Sequence, residues 1–126
     1  MCPSAQLEHR GARALFRLRR GLSIWLSLSR APFHSVGVLP LILGMVLAWR
    51  LTGAFRWGVA ALGMTGVVLV MLATYYAGEY WDYREDMLGM EQPPSRFAGG
   101  SLVVQRGLLP RRAPLIASLV SVALAL

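Results

Sequence analysis

The chain has 126 residues, of which 56% are hydrophobic, and its formal net charge is +7. This composition is typical of a membrane protein, and the length allows one domain at most. All 13 basic residues are arginines, but long apolar runs separate them, which argues against a nucleic-acid-binding surface. A single cysteine, Cys2, excludes a disulfide framework and a cysteine-based metal site.

Two N-terminal segments precede the first long apolar run, and we assign both to a region covering residues 1–30. Residues 1–12 are polar and irregular, and we expect them to be disordered. Residues 14–29 predict a basic amphipathic helix in the headgroup region of a membrane. Its apolar face comprises Leu15, Leu18, Leu22, Trp25 and Leu26, opposite Arg13, Arg17 and Arg20. An organellar transit peptide is the alternative, because the segment is rich in arginine and nearly free of acidic residues.

Two apolar runs follow, and each is long enough to cross a bilayer. Residues 31–49 would rise about 28 Å as a helix, close to the hydrocarbon thickness of about 30 Å. After a short turn over residues 50–56, residues 57–78 form the second run. Five glycines within these runs predict close helix packing, namely Gly37, Gly44, Gly58, Gly63 and Gly66. We expect the second helix to continue to Leu88, with Gly89 as a left-handed cap.

Most of the acidic residues follow the second run directly. On a helix, Glu79, Asp82 and Asp86 fall within about 60° of one another, and Tyr75 and Tyr83 flank them. Their mutual repulsion and their position near a helix C-terminus are both unfavourable, so a positive partner is needed. Carboxylate oxygens suit Mg²⁺, which usually keeps waters and bridges to substrate phosphates. The sequence therefore predicts a magnesium site at this end of the helix.

A loop over residues 90–112 separates the acidic stretch from a third apolar run. The loop contains a glycine pair and four arginines, and amides near such a pair can bind an anion. The third run, residues 113–126, would rise only about 21 Å, which is too short to cross a membrane. We therefore expect the chain to be the N-terminal part of a longer protein.

The arginines also predict an orientation. Six lie before the first run and five after the second, against two between them. By the positive-inside rule, the chain lies in the cell membrane with its N-terminus and the acidic stretch on the cytoplasmic side. The predicted fold class is thus an all-α, multi-pass transmembrane bundle, with two full spans and a truncated third.

The acidic stretch resembles the first signature motif of the UbiA superfamily of integral-membrane prenyltransferases. That motif reads Asn-Asp-x-x-Asp-x-x-x-Asp at the cytoplasmic end of the second transmembrane helix. Laid on this chain it gives Gly78, Glu79, Asp82 and Asp86, so both later aspartates match and Glu79 is a conservative replacement.

The surrounding residues are similar to the same superfamily. An Arg-x-Pro sequence, Arg30 to Pro32, precedes the first run, and a loop reading Ser-Arg-Phe-Ala-Gly-Gly-Ser over residues 95–101 follows the motif. This loop is most similar to the dihydroxynaphthoate branch, which makes menaquinone. The resemblance covers about residues 22–126, and we assign residues 31–126 to the N-terminal part of a UbiA-type domain.

The resemblance implies a nine-helix bundle in which two aspartate-rich motifs bind Mg²⁺ and the diphosphate of a polyprenyl donor. The departing pyrophosphate leaves an allylic cation, which alkylates an aromatic acceptor such as dihydroxynaphthoate in quinone biosynthesis. Carried to this chain, Asp82 and Asp86 would bind the metal and act in catalysis. Glu79 would bind it directly or through water, and Arg96 or Arg106 would contact the diphosphate.

Aromatic residues and two departures complete the prediction. Tyr75 and Tyr83 could stabilise a carbocation, although interfacial packing is the alternative for both. Gly78 replaces the motif's asparagine and removes a polar group from the metal shell. The second aspartate motif is absent from the sequence, so we expect this chain alone to be inactive.

Two other classes compete with this interpretation. A CDP-alcohol phosphatidyltransferase would need Asp-Gly-x-x-Ala-Arg ahead of its aspartates, and the sequence contains no such stretch. A non-enzymatic alternative is a small membrane scaffold or a degenerate gene fragment, in which the acidic residues only solvate a loop.

Overall fold

The computed structural model describes residue 16, residues 18–91 and residues 100–126. Within these ranges the secondary structure is entirely helical, and no strand is present. The helices are α1 (residues 18–28), a short 3₁₀ helix (Ala31–His34), α2 (Ser35–Thr52), α3 (Trp57–Trp81), α4 (Tyr83–Gly89) and α5 (Arg112–Ala125). The predicted all-α class is confirmed for this part of the chain.

Helix α1 lies within the predicted amphipathic segment and joins the rest of the structure through one face. Leu28 is fully buried, and the Trp25 ring meets the Tyr76 ring edge to face at 5.7 Å. The leucines at positions 18, 22 and 26 remain exposed. The predicted contact of this helix with headgroups therefore stays a prediction, and the predicted disorder of residues 1–12 lies outside the described residues.

Two helical stretches are long and apolar enough to cross a membrane. They cover Ala31–Thr52, with 22 residues, and Trp57–Trp81, with 25 residues. The turn between them begins at Gly53, which has a φ of 68° and donates its amide to the Trp49 carbonyl at 2.8 Å. Many helices end with a residue in the left-handed conformation at this position, and glycine adopts that conformation without steric cost.

Two of the five glycines face the neighbouring helix, and only Gly37 lies where a Cβ would force a neighbour to shift. A Cβ on Gly37 would meet the Met71 side chain at 2.5 Å, and a Cβ on Gly63 would lie 3.7 Å from Leu41. These contacts allow α2 and α3 to approach closely. The glycines at positions 44, 58 and 66 have open space beside them.

Helix α3 is the central element, and its most extensive packing is with α5. The Ser118 hydroxyl donates to the Ala73 carbonyl at 2.8 Å in a buried environment. Ala73, Ser118 and Ser121 are all buried. Small residues at the contact let the two backbones approach, as expected for helices in lipid.

The expected continuous helix to Leu88 is interrupted at one residue. Asp82 separates α3 from α4 with φ −82° and ψ 10°, in the bridge region between the helical and extended conformations. Its amide still donates to the Gly78 carbonyl at 2.8 Å, and the Asp86 amide donates to the Asp82 carbonyl at 2.9 Å. The helical direction is therefore largely kept across the break.

The predicted left-handed cap at Gly89 is wrong. Gly89 is the last residue of α4, and the next residue, Met90, keeps a right-handed conformation with φ −63°. The Met90 amide donates to the Met87 carbonyl at 3.4 Å. The last turn of α4 is therefore closed by a right-handed residue.

Candidate functional site

The acidic side chains of the described residues lie at or just after the C-terminal end of α3. Three segments meet there: the turn between α1 and α2, the α3–α4 junction, and the part of the α4–α5 loop described from residue 100 onward. We call the carboxylates of Glu79, Asp82 and Asp86 the acidic end. Their environments differ sharply, so each is described separately.

Glu79 is buried and joins two other segments. Only 1% of the residue is exposed. Its Oε1 lies 3.5 Å from the Arg30 Nη2 and accepts the Ser101 amide at 2.7 Å. Its Oε2 is buried and has no hydrogen-bond partner among the described residues. A carboxylate this deeply buried requires such partners, because desolvating a lone charge is costly.

Asp86 is half-buried and accepts hydrogen bonds from two residues of the loop, Gly100 and Gln105. Its Oδ1 accepts the Gly100 amide at 3.3 Å, and its Oδ2 accepts the Gln105 side-chain amide at 3.0 Å. A Cβ on Gly100 would collide with this carboxylate. A larger residue at position 100 would therefore force the loop or the Asp86 side chain to shift.

Asp82 is the exposed member of the acidic end. Within the described residues, no hydrogen bond or ion pair to its carboxylate is formed. A Cβ at position 78 would lie 3.6 Å from its Oδ2, which is an ordinary van der Waals distance.

The three predicted metal ligands do not converge on one point. Among the described residues there is no group of three or more His, Cys, Asp or Glu side chains that could hold a metal ion. Mg²⁺ does not require such a group, since one or two carboxylates, waters and substrate phosphates commonly complete its shell. Asp82 and Asp86 lie four residues apart and could supply such carboxylates, although both oxygens of Asp86 already accept hydrogen bonds. Glu79 Oε1 is paired with Arg30 and accepts the Ser101 amide.

The two predicted aromatic residues make packing contacts in different places. The Tyr75 hydroxyl donates to the Phe33 carbonyl at 3.2 Å, and its ring lies 5.5 Å from the His34 ring. The Tyr83 ring lies 4.8 Å below the Arg111 guanidinium, which is also 5.1 Å from the Tyr80 ring. The two rings therefore contact different residues, and their predicted role beside a carbocation stays a prediction.

The predicted diphosphate-binding arginines are placed only in part. Arg96 lies outside the described residues. Arg106 is exposed in the loop, where its backbone amide donates to the Leu102 carbonyl at 3.0 Å.

Sequence reasoning missed the residues through which the loop returns to the acidic end. Ser101, Gln105 and Arg111 were not singled out as parts of the site, and Arg30 was noted only for its position before the first helix. Periodicity reports which residues share a helical face, but it contains no signal for which loop amide folds back onto a carboxylate.

No family model matches the sequence, and neither a curated protein nor a solved structure shows significant similarity to it. The fold and site therefore define a helical protein with two helices of membrane-crossing length and a polar cluster at one end of them. Assignment to a family remains a hypothesis that rests on the spacing and surroundings of Asp82 and Asp86.

Proposed function

We propose that this chain carries a diphosphate-binding half-site of a Mg²⁺-dependent membrane prenyltransferase of the UbiA type. One observation carries the proposal: carboxylates and loop amides meet at the same end of two helices long enough to cross a membrane. The donor has a charged diphosphate next to an apolar prenyl chain. The end of a membrane-crossing helix offers a polar environment for the first and an apolar one for the second.

The carboxylates have distinct roles in this proposal. Asp82, exposed and without a partner among the described residues, is the first contact for the cation, and Asp86 is the second. When bound, Mg²⁺ neutralises the charge that develops on the diphosphate leaving group. Arg106 and Arg96 add positive charge for the same group.

An apolar groove whose lining includes Tyr76, three residues before Glu79 on α3, supports the same proposal. It has a volume of about 490 Å³, within the usual range for ligand pockets of about 300–1,000 Å³. Its walls come from α1, α3 and α5, and they include Trp25, Leu72, Tyr76, Ile116 and Val120. The polyprenyl chain of the donor is the proposed occupant, because its isoprene units are apolar.

The remaining parts of the proposal concern the setting and the second substrate. The helices cross the cell membrane in a multi-pass arrangement with the N-terminus in the cytoplasm. The acceptor is an electron-rich aromatic compound such as dihydroxynaphthoate, as in quinone biosynthesis. Support for this part comes only from the resemblance of the sequence to the superfamily.

A non-catalytic membrane scaffold is the second candidate function, and a specific observation favours it. Glu79 and Asp86 both accept hydrogen bonds from loop amides, so these carboxylates would be needed to hold the loop even without any ligand. Asp82 separates the two functions, since it makes no such bond among the described residues.

Substitution of Asp82 by asparagine tests the proposal. We expect the full chain in lipid nanodiscs to bind radiolabelled geranylgeranyl diphosphate in the presence of Mg²⁺. In D82N this binding should weaken by about tenfold or more, because one carboxylate ligand of the cation is lost.

Glu85→Gln is the matched control, because Glu85 is exposed on α4 and lies off the predicted acidic face. It removes the same charge and should leave the affinity unchanged. Equal donor binding by wild type, D82N and E85Q would remove Asp82 from the site and favour the scaffold.

A further inference from the structure

The Glu79 carboxylate connects three segments that are far apart in the chain. Arg30 lies in the turn before α2, Glu79 lies in the last part of α3, and Ser101 lies in the loop after α4. The ion pair measures 3.5 Å and the amide bond 2.7 Å, and both end on the same oxygen, Oε1. Together with Leu28 and Pro114, Glu79 is among the largest fully buried side chains of the described residues.

Backbone strain is concentrated at the partners of this carboxylate. In the described part of the chain, the residues other than glycine with positive φ are Arg30, at 47°, and Leu102, at 55°. Residues other than glycine rarely adopt this backbone conformation, and they keep it where surrounding contacts hold the backbone in place. Arg30 itself pairs with Glu79, and Leu102 directly follows the serine whose amide Glu79 accepts.

We propose that Glu79 is a positioning residue that fixes the Arg30 turn and the loop at Ser101, and that it is not a metal ligand. Through the loop it also places the Gly100 amide against Asp86. The statement that Glu79 is not a metal ligand rests on the proposed function. The statement that Glu79 holds three segments together can be tested without any substrate.

Burial separates Glu79 from the carboxylates that are proposed to meet the cation. The side chain of Glu79 is fully buried, and its Oε1 is ion-paired with the Arg30 guanidinium and accepts the Ser101 amide. Asp82 is exposed. Both contacts of Glu79 use Oε1, and its Oε2 is buried with no hydrogen-bond partner among the described residues.

Hydrogen exchange at the Ser101 amide tests the contact directly. In the full chain in nanodiscs, Glu79→Leu removes the acceptor, and we expect Ser101 to exchange about tenfold faster or more. Glu79→Gln keeps an oxygen that can accept this amide but loses the charge, so the increase should be smaller. Arg30→Gln should resemble E79Q, and E85Q is the matched control with unchanged exchange.

A Mn²⁺ titration in the presence of geranylgeranyl diphosphate separates positioning from ligation. As a paramagnetic substitute for Mg²⁺, Mn²⁺ should bind E79Q within about threefold of wild type, whereas D82N should lose about tenfold or more. Near-normal Mn²⁺ affinity in E79Q would show that position 79 needs a hydrogen-bond acceptor for the loop and not a charged ligand for the cation.

Two results would overturn the inference: unchanged Ser101 exchange in both E79L and R30Q, or an equal loss of Mn²⁺ affinity in E79Q and D82N. If E79L does not fold, E79Q and R30Q decide the exchange comparison. If wild type binds neither Mn²⁺ nor the donor, the proposed function fails, while the exchange data still decide whether Glu79 holds the loop.

Discussion

The two ends of α3 are built in opposite ways. At its N-terminal end, a short turn from Gly53 is covered by aromatic rings: Phe55 lies 6.1 Å from Trp49 and 4.6 Å from Trp57. Between residues 31 and 78 there is no acidic residue. At its C-terminal end, Glu79 and Asp86 bind amides of a distant loop and Arg30.

This difference follows from the length of each connection. The turn between α2 and α3 closes through local backbone geometry at Gly53, so it needs no long-range polar contact. The connection from α4 to α5 is long, and ordering such a loop costs conformational entropy that has to be offset by specific contacts. Buried polar contacts are therefore placed where the chain must be held near the candidate site.

Replacing a glycine by alanine at each end of α3 should give the largest difference in the free energy of unfolding. Gly100→Ala places a Cβ against the Asp86 carboxylate, so the loop or the carboxylate has to shift. We expect the free energy of unfolding, measured by denaturant titration in detergent, to fall by about 1–3 kcal/mol.

Gly58→Ala is the control at the other end of α3. Open space lies beside Gly58, and alanine is the better helix former by about 1 kcal/mol. Stability should be unchanged or slightly higher. If both substitutions had the same effect, the close approach of Gly100 and Asp86 would be wrong.

A smaller effect is expected where α5 packs against α3. Ser118→Ala removes the hydrogen bond to the Ala73 carbonyl, which should lower the free energy of unfolding by about 1 kcal/mol. Ser121 is also buried, but its hydroxyl donates at 2.9 Å to Ala117 within α5. Ser121→Ala should therefore cost less, and the reverse order in the same titration would contradict this packing.

The smallest effect is expected from the arginine above the two tyrosine rings. Arg111→Gln removes the stacking on Tyr80 and Tyr83 and should cost about 0.5–1 kcal/mol. The neighbouring Arg112 begins α5 and is exposed. Arg112→Gln removes the same charge, so a larger loss of stability in R112Q than in R111Q would argue against the stacking.

Much of the helical framework could be predicted from hydrophobic runs. The runs at residues 31–49, 57–78 and 113–126 correspond to α2, α3 and α5, because an apolar stretch of this length has few alternatives to a helix. The break at Asp82 and the right-handed ending after Gly89 were missed. Both depend on local hydrogen bonding that side-chain periodicity does not report.

The candidate site could be predicted only in part. Helical spacing placed the three carboxylates on one face, but it gave no information about burial. In the structure Glu79 is enclosed and Asp82 is exposed, because Arg30 and the loop fold over one side of the helix end. Such contacts between distant segments arise from tertiary packing, so a single sequence contains no direct signal for them.

Binding of a polyprenyl diphosphate by the full chain, with and without Mg²⁺, tests the central claim most directly. In nanodiscs, the account predicts saturable binding of geranylgeranyl diphosphate that is lost when EDTA removes Mg²⁺, and much weaker binding of geranylgeraniol, which lacks the diphosphate. Equal binding of the diphosphate with Mg²⁺ and with EDTA, or of the diphosphate and the alcohol, would contradict a cation-assisted diphosphate site at the end of α3.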